Sequence, residues 1–287
     1  LVSIEVHSRD ERAIADVLKE KLTTLGLTVT EDKAGEVLGG NTGNLYAQLP
    51  GSTDGEPVLF SAHMDRVGNH GHIVPLVKEE GKIVSDGTSI LAGDDIGGVA
   101  AILAMLREVK EKQIPHGPIE VAFSVCEETG VEGSRQYDFS KFRSKSAFVY
   151  DASGKAGTIV LAAPSKGRVT IRVHGVTAHA GNEPEKGLNA LKVAADLIMQ
   201  LPDGRLSPVS TANFSIIEAG SATNVVCDLV TITGEQRSRD AKEYQQISAD
   251  IQAAADRISE KYHTKIEVEL HTLYHAFKLE ETARPCV

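Results

Sequence analysis

Cysteine is scarce in this chain. Cys126, Cys227 and Cys286 are three in 287 residues, odd in number and widely spaced, which argues against a disulfide scaffold and suits a reducing, cytoplasmic setting. Basic charge is also short. There are 30 Lys and Arg against 40 Asp and Glu, a formal charge of −10 with no basic run, so neither nucleic acid nor an anionic membrane is expected as the main partner. The longest uncharged apolar stretch, Ile96 to Leu106, is glycine-rich and far shorter than a membrane span. Repeats and low-complexity tracts are missing, and the opening residues do not read as a signal peptide. What is present, 41% hydrophobic and 24% charged residues, is the composition of a folded, water-soluble protein with a sizeable core. Small polar or cationic substrates stay open.

Ser8 and Glu11 have the spacing of a helix capping box, and Ile14, Val17, Leu18, Leu22 and Leu25 then recur at helical intervals until Gly26. Short apolar runs follow at Asn44 to Leu49, Val58 to Ala62, Ile119 to Val125, Ala147 to Tyr150 and Thr158 to Ala163, which read as buried strands. A helical pattern over Ile96 to Lys110 separates the second from the third, so the first part is α/β. After Pro164 the order becomes strand (Gly167 to Val176), helix (Gly187 to Leu201, with Leu188, Leu191, Ala195 and Ile198 on one face), strand (Asn213 to Ala219), strand (Asn224 to Gly234), helix (Ala241 to Tyr262) and strand (Lys265 to Leu273). That β-α-β-β-α-β order is the ferredoxin-like split unit. We therefore expect an α/β first domain over 1–164, a ferredoxin-like α+β domain over 165–275, and a return toward the first domain from 276.

Six pairs of adjacent acidic residues occur, and chance alone supplies about five or six. Those at Asp10, Glu31, Glu79 and Glu280 lie in polar contexts and read as solvated surface. Two differ: Asp94-Asp95 sits in an apolar, glycine-rich segment, and Glu127-Glu128 directly follows an apolar strand. Charges there are costly unless paired or metal-bound. His63 and Asp65 likewise follow the Val58 strand, and Asp151 follows the Ala147 strand. In an open α/β sheet ligands bind beyond the carboxyl ends of the strands, so His63, Glu127, Glu128 and Asp151 are expected to share one crevice, with Asp94 pointing in and Asp95 capping the helix behind it. One imidazole with several carboxylates is a donor set for Zn²⁺, Co²⁺ or Mn²⁺, and the number of carboxylates suggests two ions. Read singly, His63 could be a hydrogen-bonded core histidine and Asp151 a turn residue. His70, His72 and His116 read as surface, and Cys126 as a buried structural thiol.

His63-Met64-Asp65, then Asp86 to Asp95 (Asp-Gly-Thr-Ser-Ile-Leu-Ala-Gly-Asp-Asp), then Glu127-Glu128-Thr129-Gly130, then Tyr150-Asp151 resemble the ordered motifs of the dizinc exopeptidases related to peptidase T, glutamate carboxypeptidase and aminoacylase, with the nearest likeness to the peptidase T branch. The resemblance covers essentially the whole chain, because that family also inserts a ferredoxin-like lid, often used for dimerisation. It implies a mixed sheet flanked by helices and a dinuclear metallohydrolase, with zinc as the expected metal, that cleaves a terminal bond of short peptides as a homodimer. It implies further that His63 and Asp151 hold one metal, that Asp94 bridges, that Glu128 holds the other, that Glu127 is the general base and that Asp65 orients the imidazole. In the lid, His179 in Val-Thr-Ala-His-Ala-Gly-Asn resembles the histidine that steadies the oxyanion, and Asn224 and Arg237 resemble substrate-binding positions. A carboxypeptidase, an N-acyl amino acid amidohydrolase and a catalytically silent dimerising relative are the alternatives. The family completes its second metal site with a histidine near its carboxyl terminus, and residues 276–287 contain none. Since Leu1 is not an initiator Met either, a longer translated product is expected.

Overall fold

The computed structural model describes residues 1–68 and 72–279, so His70, Glu280 and Cys286 lie outside the described residues. The chain forms two compact units, Leu1–Ile159 and a second beginning at Val160.

In the first unit, α1 (Arg12–Leu25) leads into β1 (Thr28–Glu31), the short α2 (Ala34–Leu38), β2 (Leu45–Leu49) and β3 (Val58–His63). A hairpin of β4 (Pro75–Val77) and β5 (Ile83–Ser85) precedes α3 (Gly93–Glu111), β6 (Ile119–Ser124) and β7 (Ser146–Val149). The sheet order is β1-β2-β6-β3-β7. β1, β2 and β6 pair antiparallel, whereas β3 runs parallel to both β6 and β7. Ile14, Leu18 and Leu22 of α1 and Val99, Ile102 and Leu106 of α3 pack with Leu45, Val121 and Phe123 in one buried core. α1 stops where Gly26 takes a left-handed φ of 101° and its N–H turns back to the helix carbonyls.

The helix starts otherwise than the capping-box spacing suggests. Glu11 is the residue before α1, but its side chain does not cap the helix; Asn41 Oδ1 accepts the Arg12 N–H at 3.0 Å, and Ser8 Oγ donates to Asp65 Oδ2 at 2.6 Å. Nor are the first two acidic pairs solvated throughout, although Asp10 is exposed. Glu11 is fully buried, and Glu31 receives Arg12 and Lys19 from α1. Residues 158–161 form no strand; Ile159, Val160 and Leu161 are exposed. Only Ala162–Ala163 (β8) pairs, with a two-residue strand from far along the chain, because an apolar run without a neighbouring strand has no ladder to join.

The second unit comprises β8, β9 (Ser165–His174), α4 (Ala190–Ile198), β10 (Gly204–Ser207), β11 (Ser210–Ala219), β12 (Leu229–Ser238), α5 (Ala241–Tyr262), β13 (Ile266–Tyr274) and β14 (Phe277–Lys278). Its five-stranded sheet runs β10-β11-β12-β9-β13 with every pairing antiparallel. Without β10 this is the ferredoxin-like order. α5 buries Ile247, Ile251, Ala254, Ala255 and Ile258 on one face, and Asp240 caps it through the N–H groups of Lys242 and Glu243. α4 turns the other way: it buries Ala190, Val193, Ala194 and Leu197, while Leu191 and Ile198 are exposed. Apolar residues occupy both sides of this short helix, so periodicity alone could not choose a face; contact with β9 and β12 did. Among the described residues no helix is long and apolar enough to cross a membrane.

Candidate metal centre

Three parallel strands build the centre. β6, β3 and β7 run in one direction, so their carboxyl ends share one edge of the sheet. His63 is the last residue of β3, Glu127 and Glu128 follow β6, and Asp151 follows β7. Asp94 and Asp95 arrive at the start of α3, joined by a cis peptide and not yet in helical backbone geometry. Gly98 allows the approach: a Cβ there would lie 2.3 Å from Asp95 Oδ1 and 2.5 Å from the Tyr150 carbonyl oxygen, so only glycine lets α3 sit against the chain that leads into Asp151.

His63 is the hub, with its side chain only 2% exposed. Its Nε2 lies 3.0 Å from Asp94 Oδ1 and 4.0 Å from Glu127 Oε2. Its Nδ1 lies 2.9 Å from the Asp65 carbonyl oxygen and 3.3 Å from Asp65 Oδ1. Two sets of potential ligand atoms meet there, His63 with Asp94 and Asp151, and His63 with Glu127 and Glu128, each set within 4.8 Å throughout. The structure thus brings together all four expected metal-binding positions and the expected base.

Burial raises the Glu127 carboxyl to about 7, and it raises Glu128 and Asp151 as well, with the neighbouring negative charges adding to the effect. For His63 burial works against the charged form. The hydrogen bond and charge of Asp65, with the charges of Asp151 and Glu127, outweigh it and raise the imidazole to about 10. A cluster this rich in carboxylate therefore draws positive charge. The donor chemistry, one imidazole and four carboxylates with no thiolate among them, fits hard-to-borderline divalent metals.

Asp65 is fully buried and does more than face the imidazole. Its Oδ1 accepts the Glu127 N–H at 3.0 Å and its Oδ2 accepts the Glu128 N–H at 3.1 Å, so one carboxylate ties the His63 segment to the Glu127-Glu128 segment. Burial opposes its charge, but these bonds and those from His63 and Ser8 hold it below the usual carboxylate range. Asp95 corrects another expectation. It does not cap α3; buried, it accepts the His63 N–H through Oδ2 at 3.1 Å, and burial lifts its carboxyl to about 7. Sequence reasoning missed this role and that of Ser8, because these bonds join residues 32 and 57 positions apart. Cys126 is buried, and burial, with Glu11 beside it, pushes its thiol up to about 12, which is not the environment of a nucleophile.

The remaining three positions lie in the second unit. His179 and Asn224 adjoin: the Ala180 N–H donates to the Asn224 carbonyl oxygen at 3.0 Å, and His179 bridges to Val225. His179 Nδ1 accepts the N–H groups of Gly181 and Asn182, both at 3.2 Å, which leaves the proton on Nε2. Arg237, on β12, is held by the Glu235 carboxylate at 2.7 Å.

Residues 44–183 match the family model of peptidase family M28, and residues 164–263 match that of a peptidase dimerisation domain. Peptidase T of Staphylococcus carnosus is 28% identical over 240 residues, which make up 82% of this chain and 57% of that protein. The chain thus spans little more than half of that relative. The solved structure of aminopeptidase PepT from Bacillus cereus is 38% identical with a TM-score of 0.86, and the match covers 98% of this chain and 75% of that one. A tripeptidase structure from Staphylococcus aureus is 33% identical with a TM-score of 0.91, over 99% of this chain and 79% of its own. With likeness this extensive in both sequence and fold, the chain belongs to the peptidase T-like family of dizinc exopeptidases.

Proposed function

We propose that this protein is a metal-dependent aminopeptidase that binds two divalent ions, zinc by preference, and removes the terminal residue of short peptides, tripeptides in particular. The observation that carries this reading is the convergence of Asp94, Asp151, Glu127 and Glu128 on His63 at one sheet edge. His63 and Asp151 would hold one ion and Glu128 the other, with Asp94 as the ligand common to both. Two such ions would supply Lewis acidity for the scissile carbonyl and acidify water toward neutral pH. Glu127, half-buried beside His63, takes a proton from the attacking water and hands it to the leaving amine. Asp65 fixes the His63 ring while holding the Glu127 and Glu128 backbone.

The second unit carries the homodimer. His179, with its proton on Nε2, donates to the oxyanion, and Asn224 and Arg237 contact the substrate. The match of that unit to a peptidase dimerisation domain supports its part in dimerisation.

Elemental analysis together with a substrate panel of tripeptides, N-acyl amino acids and peptides blocked at either end tests the proposal. Two ions per chain and cleavage of tripeptides with a free amino terminus are expected. Cleavage confined to acyl amino acids or to carboxyl-terminal residues would move the protein to an amidohydrolase or carboxypeptidase role. Two bound ions without any turnover would make it a silent relative.

A further inference from the structure

The Ser8-Glu11 spacing that fails to cap α1 serves another purpose. Glu11 is 0% exposed. Its Oε1 accepts the N–H of Arg9 at 3.1 Å and that of Cys126 at 3.0 Å, across 115 residues of sequence. Asp65 takes the next two N–H groups, those of Glu127 and Glu128, and Ser8 Oγ donates to Asp65. Three successive backbone N–H groups therefore point inward onto two buried carboxylates. They can do so because Cys126 adopts a φ of +51°, a left-handed conformation that L side chains seldom take. The outer side of the turn is tied to the same opening segment. Arg9 pairs with Glu132 at 3.0 Å, and the Glu132 N–H donates to the Cys126 carbonyl oxygen at 3.0 Å.

Among the described residues Glu11 Oε2 is buried without a hydrogen-bond partner, so the carboxyl acts on the turn through Oε1 alone, and an apolar side chain here would leave the Arg9 and Cys126 N–H groups unpaired. We propose that Glu11 is a positioning residue for the metal-binding turn: by holding the Cys126 N–H it sets the left-handed turn and so aims the side chains of Glu127 and Glu128 at His63. Its assistance to catalysis rests on the aminopeptidase reading above; its control of the turn does not.

The variants Glu11→Gln, Glu11→Asp and Glu11→Ala of the metal-loaded enzyme test this by three measurements: Zn²⁺ affinity by competition with a chromophoric chelator, kcat and KM on a tripeptide, and amide exchange over residues 124–129. Gln keeps an acceptor oxygen in place and is expected to remain within about threefold of the parent on every measure. Ala removes the acceptor and Asp withdraws it from Cys126. Both are expected to lose about tenfold or more in Zn²⁺ affinity and kcat, in the range typical when a group behind a metal ligand is lost, with KM changed by less than about threefold and with faster exchange at Cys126. If Ala prevents folding, Asp decides, since it retains the charge and most of the volume. Parent-like affinity, kcat and exchange in a folded Asp or Ala variant would overturn the proposal, as would a Gln variant impaired as severely as Ala. Should the parent itself cleave no peptide, the aminopeptidase reading fails, while affinity and exchange still decide the role of Glu11.

Discussion

Glu127 stands at the boundary between buried and wet. Its side chain is 28% exposed and its Oε2 lies 4.0 Å from His63 Nε2, close enough to the ligand cluster to act on a bound water and open enough to meet a substrate. A carboxamide of the same shape keeps the packing but cannot carry a proton. Glu127→Gln is therefore expected to lower kcat by about 10²- to 10⁴-fold with the metal content unchanged by elemental analysis; full turnover in that variant would place the base elsewhere. At this scale the sequence was partly legible. His63, Asp94, Glu127, Glu128 and Asp151 were readable because each sits at the junction of an apolar run and a turn. Glu11 and Asp95 were not, because whether a carboxylate is solvated or buried depends on what packs over it from distant parts of the chain.

Among the elements, α1 and β1 show how a surface-looking acidic residue becomes structural. Glu31 on β1 accepts from Arg12 and Lys19 of α1, from Thr42 Oγ1 at 2.9 Å and from the Gly43 N–H at 3.0 Å. Burial would raise its carboxyl, but these partners hold it well below the usual range, from an ordinary value of 4.5. Because the folded value is depressed, the stabilisation is fully present above the unfolded value and disappears as pH falls through the folded one. Glu31→Gln is expected to cost about 1–2 kcal/mol at pH 7, at the low end for charged hydrogen bonds because solvent screens the pair. In urea unfolding the gap from the parent should narrow steadily below about pH 4; a gap that stays constant down to pH 3 would show that the ion pairs contribute nothing. Element by element, α5 was legible to its ends because a long amphipathic helix offers many repeats of one face and carries its own cap. The short α4 was not, since its apolar residues fit two faces.

At the scale of the whole molecule, each unit has its own buried core, and the His63 cluster belongs entirely to the first. Without a cation the carboxylates repel one another; a cation that binds only the folded state stabilises it by mass action, about 2.7 kcal/mol at a hundredfold excess over Kd. Chelation is expected to lower Tm by on the order of 5–10 °C, reversibly on adding Zn²⁺. The exchange protection regained should concentrate in the segments around residues 63, 94, 127 and 151. An unchanged Tm after complete metal removal would contradict a metal site in this cluster.

Local pattern sufficed for the order of elements, the α/β and ferredoxin-like classes, and the residue types waiting at the strand ends, because periodicity, turn chemistry and the cost of charge beside apolar runs are all written over a few neighbouring residues. Only the tertiary structure decided that β3, β6 and β7 run parallel and so bring their carboxyl ends to one edge, that α4 shows its other face to the sheet, and that Ser8 and Glu11 support the turn behind Glu127 and Glu128. Those outcomes depend on contacts between residues tens to more than a hundred positions apart, and such contacts leave no periodic trace in a single chain.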